Sequence, residues 1–252
     1  MIQVENLSFS YTKKKGEEVL KNISFSVNPG ECVGILGNNG AGKSTLITCL
    51  CNIQKPQGGS VFLQGQDIYQ MKPLHMARQL AYVAQSNEMY HMTVFDFVLL
   101  GRKPYMKQFV SKKDTAVCER VIEQLGLSGQ KLKYITEISG GQWQKVLLAR
   151  ALAQEPKVLL LDEPINNLDL KNQHEILSLV QKLAKETQMS VLMVLHDVSL
   201  SLRYCSQFLF LKEGALHCYG DQTVVTEKVM EEVFDIQASI EKVQGQNILV
   251  VH

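Results

Sequence analysis

"CVGILGNNGAGKST", Cys32 to Thr45, joins a short apolar run to a glycine-rich loop and then to a helical pattern that begins at Lys43. The first five residues are apolar without alternation, the pattern of a strand covered on both faces. The loop fits G-x-x-x-x-G-K-[ST] over Gly37 to Thr45, in the strand–loop–helix setting that this motif requires. Glycines let the backbone curl so that its N–H groups converge on a phosphate. Asn38, Asn39, Gly40, Ala41 and Gly42 are therefore the expected cradle, with Lys43, Ser44 and Thr45 at the helix start. Lys43 is placed to reach β- and γ-phosphate oxygens, and the Ser44 hydroxyl to hold Mg²⁺. The alternative is a glycine-rich turn that binds nothing.

Two further apolar runs end in polar chemistry. "VLLLDEP" (Val158 to Pro164) closes on two acids and "SVLMVLHD" (Ser190 to Asp197) on His196. Doubly wound sheets place their ligands at strand C-termini. Asp162 is expected to hold the magnesium and Glu163 to deprotonate an attacking water. His196 is a candidate γ-phosphate contact, although a lone histidine is also a common structural residue. Gln85 ends "LAYVAQ" in the same way and is a candidate for Mg²⁺ or for the water. Tyr11 ends the first strand, where it either stacks on a base or packs as a core aromatic.

Farther out, strands alternate with helices, which indicates a mainly parallel sheet covered by helices. "IQVENLSFSY" and "VLKNISFSV" have period two and suggest an added antiparallel layer at the N-terminus; "GGSVFLQGQDI" reads as a turn and strand. The stretch from Thr93 to about Gly129 is helical in character, with a loop near "GRKPYM", and interrupts the α/β alternation. The expected fold is α/β, a P-loop NTPase core with an inserted helical subdomain at roughly residues 86–155, all within one domain over 1–252. "ASIEKVQGQNILVV" reads as a closing hairpin, and a long amphipathic helix is expected from Asp169 to about Glu186.

"ISGGQWQKVLLARAL" (Ile138 to Leu152) raises a separate question. Ser139, Gly140, Gly141 and Gln142 stand at a second helix start, and unpaired N–H groups there also suit an anion. One chain thus carries two loops of the same chemistry.

Composition narrows the functional classes. The formal net charge is +1, so no bulk positive field points to nucleic acid, and the basic run Lys13 to Lys15 reads as a solvated loop. The longest apolar runs fall well short of the ~18 residues of a membrane span, and no secretory signal is expected. The six cysteines include no C-x-x-C pair, which points to reduced thiols of a cytosolic protein instead of a metal site.

Together these residues resemble the ATP-binding subunit of an ABC transporter, over nearly the whole chain. "GNNGAGKST" resembles the Walker A loop, "YVAQ" the Q-loop, "ISGGQ" the signature, "VLLLDEP" Walker B, "NNLD" (Asn166 to Asp169) the D-loop and "LHD" the switch histidine, in the family's order. Tyr11 falls where the family keeps its adenine-stacking aromatic. The resemblance implies a head-to-tail homodimer with ATP and Mg²⁺ held between the Walker A loop of one chain and the signature loop of the other, with Asp169 of the D-loop among the nucleotide-binding residues. It also implies two integral membrane permease subunits, an extracytoplasmic substrate-binding protein reached through them, and a peripheral position on the cytoplasmic face of the membrane. "TVFDFVLLGRKPYM" and "NNLDLKNQHEIL" are similar to the importer branch serving iron–siderophores, haem and cobalamin. Three positions depart from the family pattern: Ile138 for leucine, Trp143 for a basic residue and Ile165 for threonine.

Other readings share these motifs. Chromosome-maintenance ATPases insert long coiled coils between Walker A and the signature, whereas that interval is here about a hundred residues without sustained heptads. Soluble family members acting on ribosomes usually carry two nucleotide domains, and a binding module without hydrolysis would not need Glu163 and His196.

Overall fold

In the computed structural model, which describes residues 1–12, 17–85 and 90–252, the alternating segments form β1 (Ile2–Phe9) and β2 (Leu20–Val27). They pair antiparallel, with Ile2 opposite Val27 and Phe9 opposite Leu20. The apolar run is β3 (Cys32–Leu36), buried at all five positions, and α1 (Lys43–Leu50) starts at the lysine of the loop. Next come β4 (Gly58–Leu63), β5 (Gln66–Asp67), α2 (Pro73–Gln79) and β6 (Leu80–Val83).

Helices α3 (Val94–Leu99), α4 (Lys112–Gln124) and α5 (Gly140–Ala153) pack on one another before the chain returns to the sheet at β7 (Val158–Asp162). Then follow α6 (Leu170–Thr187), β8 (Ser190–Val194), α7 (Val198–Tyr204), β9 (Gln207–Lys212), β10 (Ala215–Gly220), α8 (Glu227–Phe234) and a final hairpin of β11 (Ala238–Val243) and β12 (Gln246–Val251). The Lys13 to Lys15 loop lies outside the described residues.

Ten strands run in the order β5-β4-β1-β2-β10-β9-β3-β8-β7-β6. Strands β9, β3, β8, β7 and β6 are mutually parallel. The antiparallel strands β1, β2, β4 and β5 join them through a single pairing, Ala215 with Lys21. One apolar core lies between α1, the antiparallel strands and one face of the parallel sheet, around Leu46, Ile47, Val33 and Leu160. A second lies on the other face and runs into the helical segment, around Phe97, Val146, Leu161 and Ile176. This is the α/β fold expected from the sequence, with its antiparallel addition and helical insertion.

Register decides where the chemistry falls. Ile35 pairs with Val194, Val194 with Asp162, and Leu161 with Val83. The ends of β3, β8, β7 and β6 therefore share one edge of the sheet. The glycine loop, Glu163, Gln85 and His196 follow those ends, and Asp162 is the last residue of β7.

The departures from the family pattern are packing residues. Trp143 and Ile165 are buried, Ile138 packs against the same core, and the Trp143 ring lies 4.9 Å from that of Phe97. Five of the cysteines are buried, the sixth is partly so, and all are free thiols.

Candidate active site

Helix α1 has a glycine at its N-cap, Gly42 with φ 98°, and no side chain caps it. By contrast α3, α4, α5, α6, α7 and α8 each begin with a serine, threonine or aspartate whose side chain accepts from the helix backbone. The first intrahelical bond at this end of α1 is Leu46 N–H to the Gly42 carbonyl. The N–H groups ahead of it are thus left for an external acceptor, beside the positive end of the helix dipole. The loop is pressed against the sheet at Gly37 (φ 146°), where a Cβ would lie 2.3 Å from the Leu211 carbonyl oxygen.

The Lys43 ammonium donates to the carbonyls of Gly37 at 2.8 Å and Asn38 at 3.0 Å. It is buried, which holds its pKa below the ordinary lysine value against the opposing pull of Glu163 and Asp162. Next to it the Ser44 hydroxyl donates to Asp162 Oδ1 at 3.1 Å. Burial raises the pKa of Asp162 above the usual carboxylate range, opposed by the Ser44 hydrogen bond and reinforced by Glu163.

Glu163 adopts a left-handed backbone, φ 52°, which costs a non-glycine residue about 1 kcal/mol. The turn sends the two consecutive carboxylates to different partners. Asp162 meets Ser44, while Glu163 Oε1 lies 2.8 Å from His196 Nε2 and its Oε2 accepts from Gln85 Nε2 at 2.6 Å. Asn166 Nδ2 also donates to Oε2, at 2.9 Å. Sequence reading placed Asn166 only within the "NNLD" stretch; its spacing of three from Glu163, across a tight turn, was the available signal.

Gly40, Gly42, Lys43, Ser44, Glu163 and His196 all line one open cavity of ≈ 340 Å³, with Asn39, Thr45 and Val19. Tyr11 stands at its margin. It is 63% exposed, packs edge-on against Phe9 and shares a 3.1 Å hydrogen bond with Thr45, so it is not a core aromatic. The Asn38 side chain turns away from the cavity to the Val233 carbonyl, and Ala41 is buried beneath the loop.

Ser139, Gly140, Gly141 and Gln142 do not line this cavity. Ser139 caps α5 in a capping box with Gln142, leaving the N–H groups of Gly140 and Gly141 ahead of the first intrahelical bond. A Cβ at Gly141 would lie 2.5 Å from Asn172 Oδ1. Asn172 in turn donates its amide to both oxygens of Asp169, the N-cap of α6, at 2.9 and 3.0 Å. The second glycine loop and the D-loop aspartate are thus packed together, outside the lining of that cavity.

The donor set fits a magnesium nucleotide. Hard oxygen donors, a hydroxyl and a carboxylate, stand together where Mg²⁺ takes one or two protein ligands beside phosphate oxygens. A buried ammonium satisfied only by loop carbonyls is ready to exchange them for phosphate oxygens. Among the described residues no cluster of histidine, cysteine, aspartate and glutamate is suited to hold a metal by itself.

The ABC transporter family model matches residues 20–166. An uncharacterized ABC transporter ATP-binding protein of Methanocaldococcus jannaschii is 43% identical over 250 residues, covering 99% of this chain and 97% of that protein. The petrobactin import ATP-binding protein of Bacillus subtilis is 30% identical over 250 residues, covering 98% of each. Among solved structures, a chain described as a metal-chelate type ABC transporter in an inward-facing conformation superposes with a TM-score of 0.84 at 28% identity, covering 100% of this chain and 96% of that one. The uncapped phosphate loop, the acid pair and histidine facing it, and these matches lead to one conclusion: the chain belongs to the ABC transporter family, as an ATP-binding and ATP-hydrolysing subunit.

Proposed function

We propose that this chain powers an ABC importer for an iron chelate, haem or cobalamin-type cargo, working through separate membrane subunits. The observation that carries the catalytic part is the meeting of Lys43, Ser44, Glu163 and His196 in one cavity. In this reading Lys43 and the loop backbone from Asn38 to Thr45 hold the phosphates, and Tyr11 stacks on the base. Ser44, Asp162 and Gln85 hold Mg²⁺, which would draw charge from the phosphate oxygens. Glu163 takes the proton of the attacking water. His196, 2.8 Å from that carboxylate, keeps it aligned and reaches the γ-phosphate.

The second glycine loop is assigned to the partner's nucleotide. Ser139, Gly140, Gly141, Gln142 and Asp169 lie off their own chain's cavity, so a head-to-tail second copy is the way for them to reach a phosphate. ATP then favours the closed dimer because only that state offers both loops.

Residues 86–155 are proposed as the helical subdomain that meets the membrane subunits; of these, 86–89 lie outside the described residues. The surface from Ser86 to Met106 is the proposed receiving site for a permease helix. Supporting it, Tyr90 is exposed, and Met106 joins the exposed Leu74, Phe109 and Val110 around an apolar groove. Among the described residues no helix is long and apolar enough to cross a membrane, in keeping with a peripheral subunit on the cytoplasmic face.

The cargo assignment rests on the petrobactin import relative and the metal-chelate type structure. The test is to purify the chain with its membrane partners and to measure ATP hydrolysis with capture proteins loaded with iron chelate, haem or cobalamin. Stimulation by one of these supports the assignment; stimulation only by an unrelated cargo contradicts it.

A further inference from the structure

The C-terminal part of the chain plays no role in the chemistry above, yet it touches the site. Helix α8 ends at Phe234 and its cap N–H, from Asp235, takes the Glu231 carbonyl, so the carbonyls after Glu231 lie beyond the helix's own ladder. One of them, Val233, accepts from the side-chain amide of Asn38 at 2.8 Å, across 195 residues of sequence. Only the NH₂ end of that amide can make this bond, because a carbonyl donates nothing.

Asn38 stands near the start of the phosphate loop. Its own carbonyl accepts from Ala41 N–H at 3.1 Å, closing the turn, and from the Lys43 ammonium at 3.0 Å. One residue therefore connects the loop's turn and its lysine to α8. Helix α8 is itself fixed to the sheet by the His217–Glu232 pair at 3.0 Å and by Phe234 packed edge-on against Phe210. Beyond it, β11 packs on α8, and β12 on α7, the helix that begins directly after His196. The unit formed by α8 and the hairpin thus bridges the phosphate loop and the helix of the switch histidine.

We propose that Asn38 is a positioning residue through which the C-terminal unit sets the conformation of the phosphate loop, making residues 227–251 a docked arm whose seating and ATP binding reinforce each other. This rests on the nucleotide reading of the site. Linkage makes the effect reciprocal: if the seated arm favours ATP, ATP must favour the seated arm by the same factor. Losing the Asn38 bond weakens ATP binding because Lys43 and the Ala41 turn lose their fixed support, without removing any group that touches phosphate through a side chain.

The test is hydrogen exchange on the full chain, with and without a non-hydrolysable ATP analogue and Mg²⁺, for the parent and for Asn38→Leu. In the parent the analogue is expected to slow exchange at residues 37–50 and also at 227–251. In Asn38→Leu it is expected to slow exchange at 37–50 alone, with the KM for ATP raised roughly three- to tenfold and kcat lowered by less. Phe234→Leu loosens the arm without altering the loop. It should raise KM in the parent but add little to Asn38→Leu, the mark of a shared route. Protection confined to 37–50 in the parent, equal protection of 227–251 in Asn38→Leu, or additive effects of the two substitutions would overturn the coupling alone. No protection at 37–50 would overturn the nucleotide reading, and the coupling with it.

Discussion

His196 Nε2 lies 2.8 Å from Glu163 Oε1, while the other oxygen of the same carboxylate accepts from Gln85 at 2.6 Å. The proposed base is therefore held from the segment after β8 on one side and from the segment after β6 on the other. Its strained backbone is kept in place by these contacts and by Asn166. Replacing Glu163 by Gln removes proton acceptance but keeps the shape. Hydrolysis should fall by about 10²- to 10⁴-fold while ATP affinity by calorimetry stays close to that of the parent. Turnover near the parent rate would remove Glu163 from the role of base.

Asp162 offers a trade between stability and function. Its pKa is raised by burial, so ionisation at neutral pH costs the folded state. That cost disappears as pH falls through the raised folded pKa toward the ordinary carboxylate value. Asp162→Asn keeps an acceptor for Ser44 and removes the buried charge. The nucleotide-free protein should therefore melt at a higher temperature than the parent at pH 7. Magnesium-dependent ATP binding should weaken at least tenfold. Thermal unfolding at pH 5 and pH 8 checks the sign: the gain should be larger at pH 8.

Gly141 is confined by Asn172. A methyl group there would come 2.5 Å from Asn172 Oδ1, which cannot retreat easily because its amide is tied to Asp169. Gly141→Ala should lower ATPase activity at least tenfold with little loss of fold. Adding Asn172→Ala should restore part of it if the clash displaces the loop. No recovery in the double variant would mean that the methyl group itself blocks the partner's phosphate.

Arg102 is nearly fully buried, with Asp114 at 3.1 Å, Glu155 at 2.8 Å, the Ala153 carbonyl at 2.7 Å and the Tyr105 ring beneath its guanidinium. Arg102→Met should destabilise by about 3–5 kcal/mol, because Asp114 is left buried without its cation. Hydrogen bonds from Ser111, with the arginine, hold Asp114 below the usual carboxylate range. Its contribution is present above the ordinary carboxylate pKa and lost as pH falls through the lower folded value. The gap between parent and variant in urea melts should therefore narrow in acid.

Much of this was legible in the sequence. The strand β3, the start of α1 at Lys43, and the strands ending at Asp162 and just before His196 carry unbroken apolar runs, and such runs leave little choice of fold. The closing hairpin was legible at Ala238 to Val251, but the region between Asp197 and it was not. In β10 all six residues are partly buried, so period two is blurred, and α7 and α8 are under three turns long. Arg102 was hidden in what read as a loop near "GRKPYM", because nothing local says that a charged residue is buried when its partners lie 12 and 53 residues away. The bonds from Asn166 to Glu163 and from Asn38 to Val233 depend on side-chain direction in turns, which spacing does not specify.

The central claim is that each ATP is shared by two copies of the chain. In a Glu163→Gln background, where bound ATP persists, one tagged heterodimer pairs a chain carrying Lys43→Ala with a chain carrying Ser139→Arg. A second pairs an otherwise unmodified chain with one carrying both lesions. Sharing across chains leaves one intact site in the first heterodimer and none in the second, so the account predicts one trapped ATP per dimer and then zero. Zero in the first and one in the second would contradict it, because each chain would then be using its own two loops.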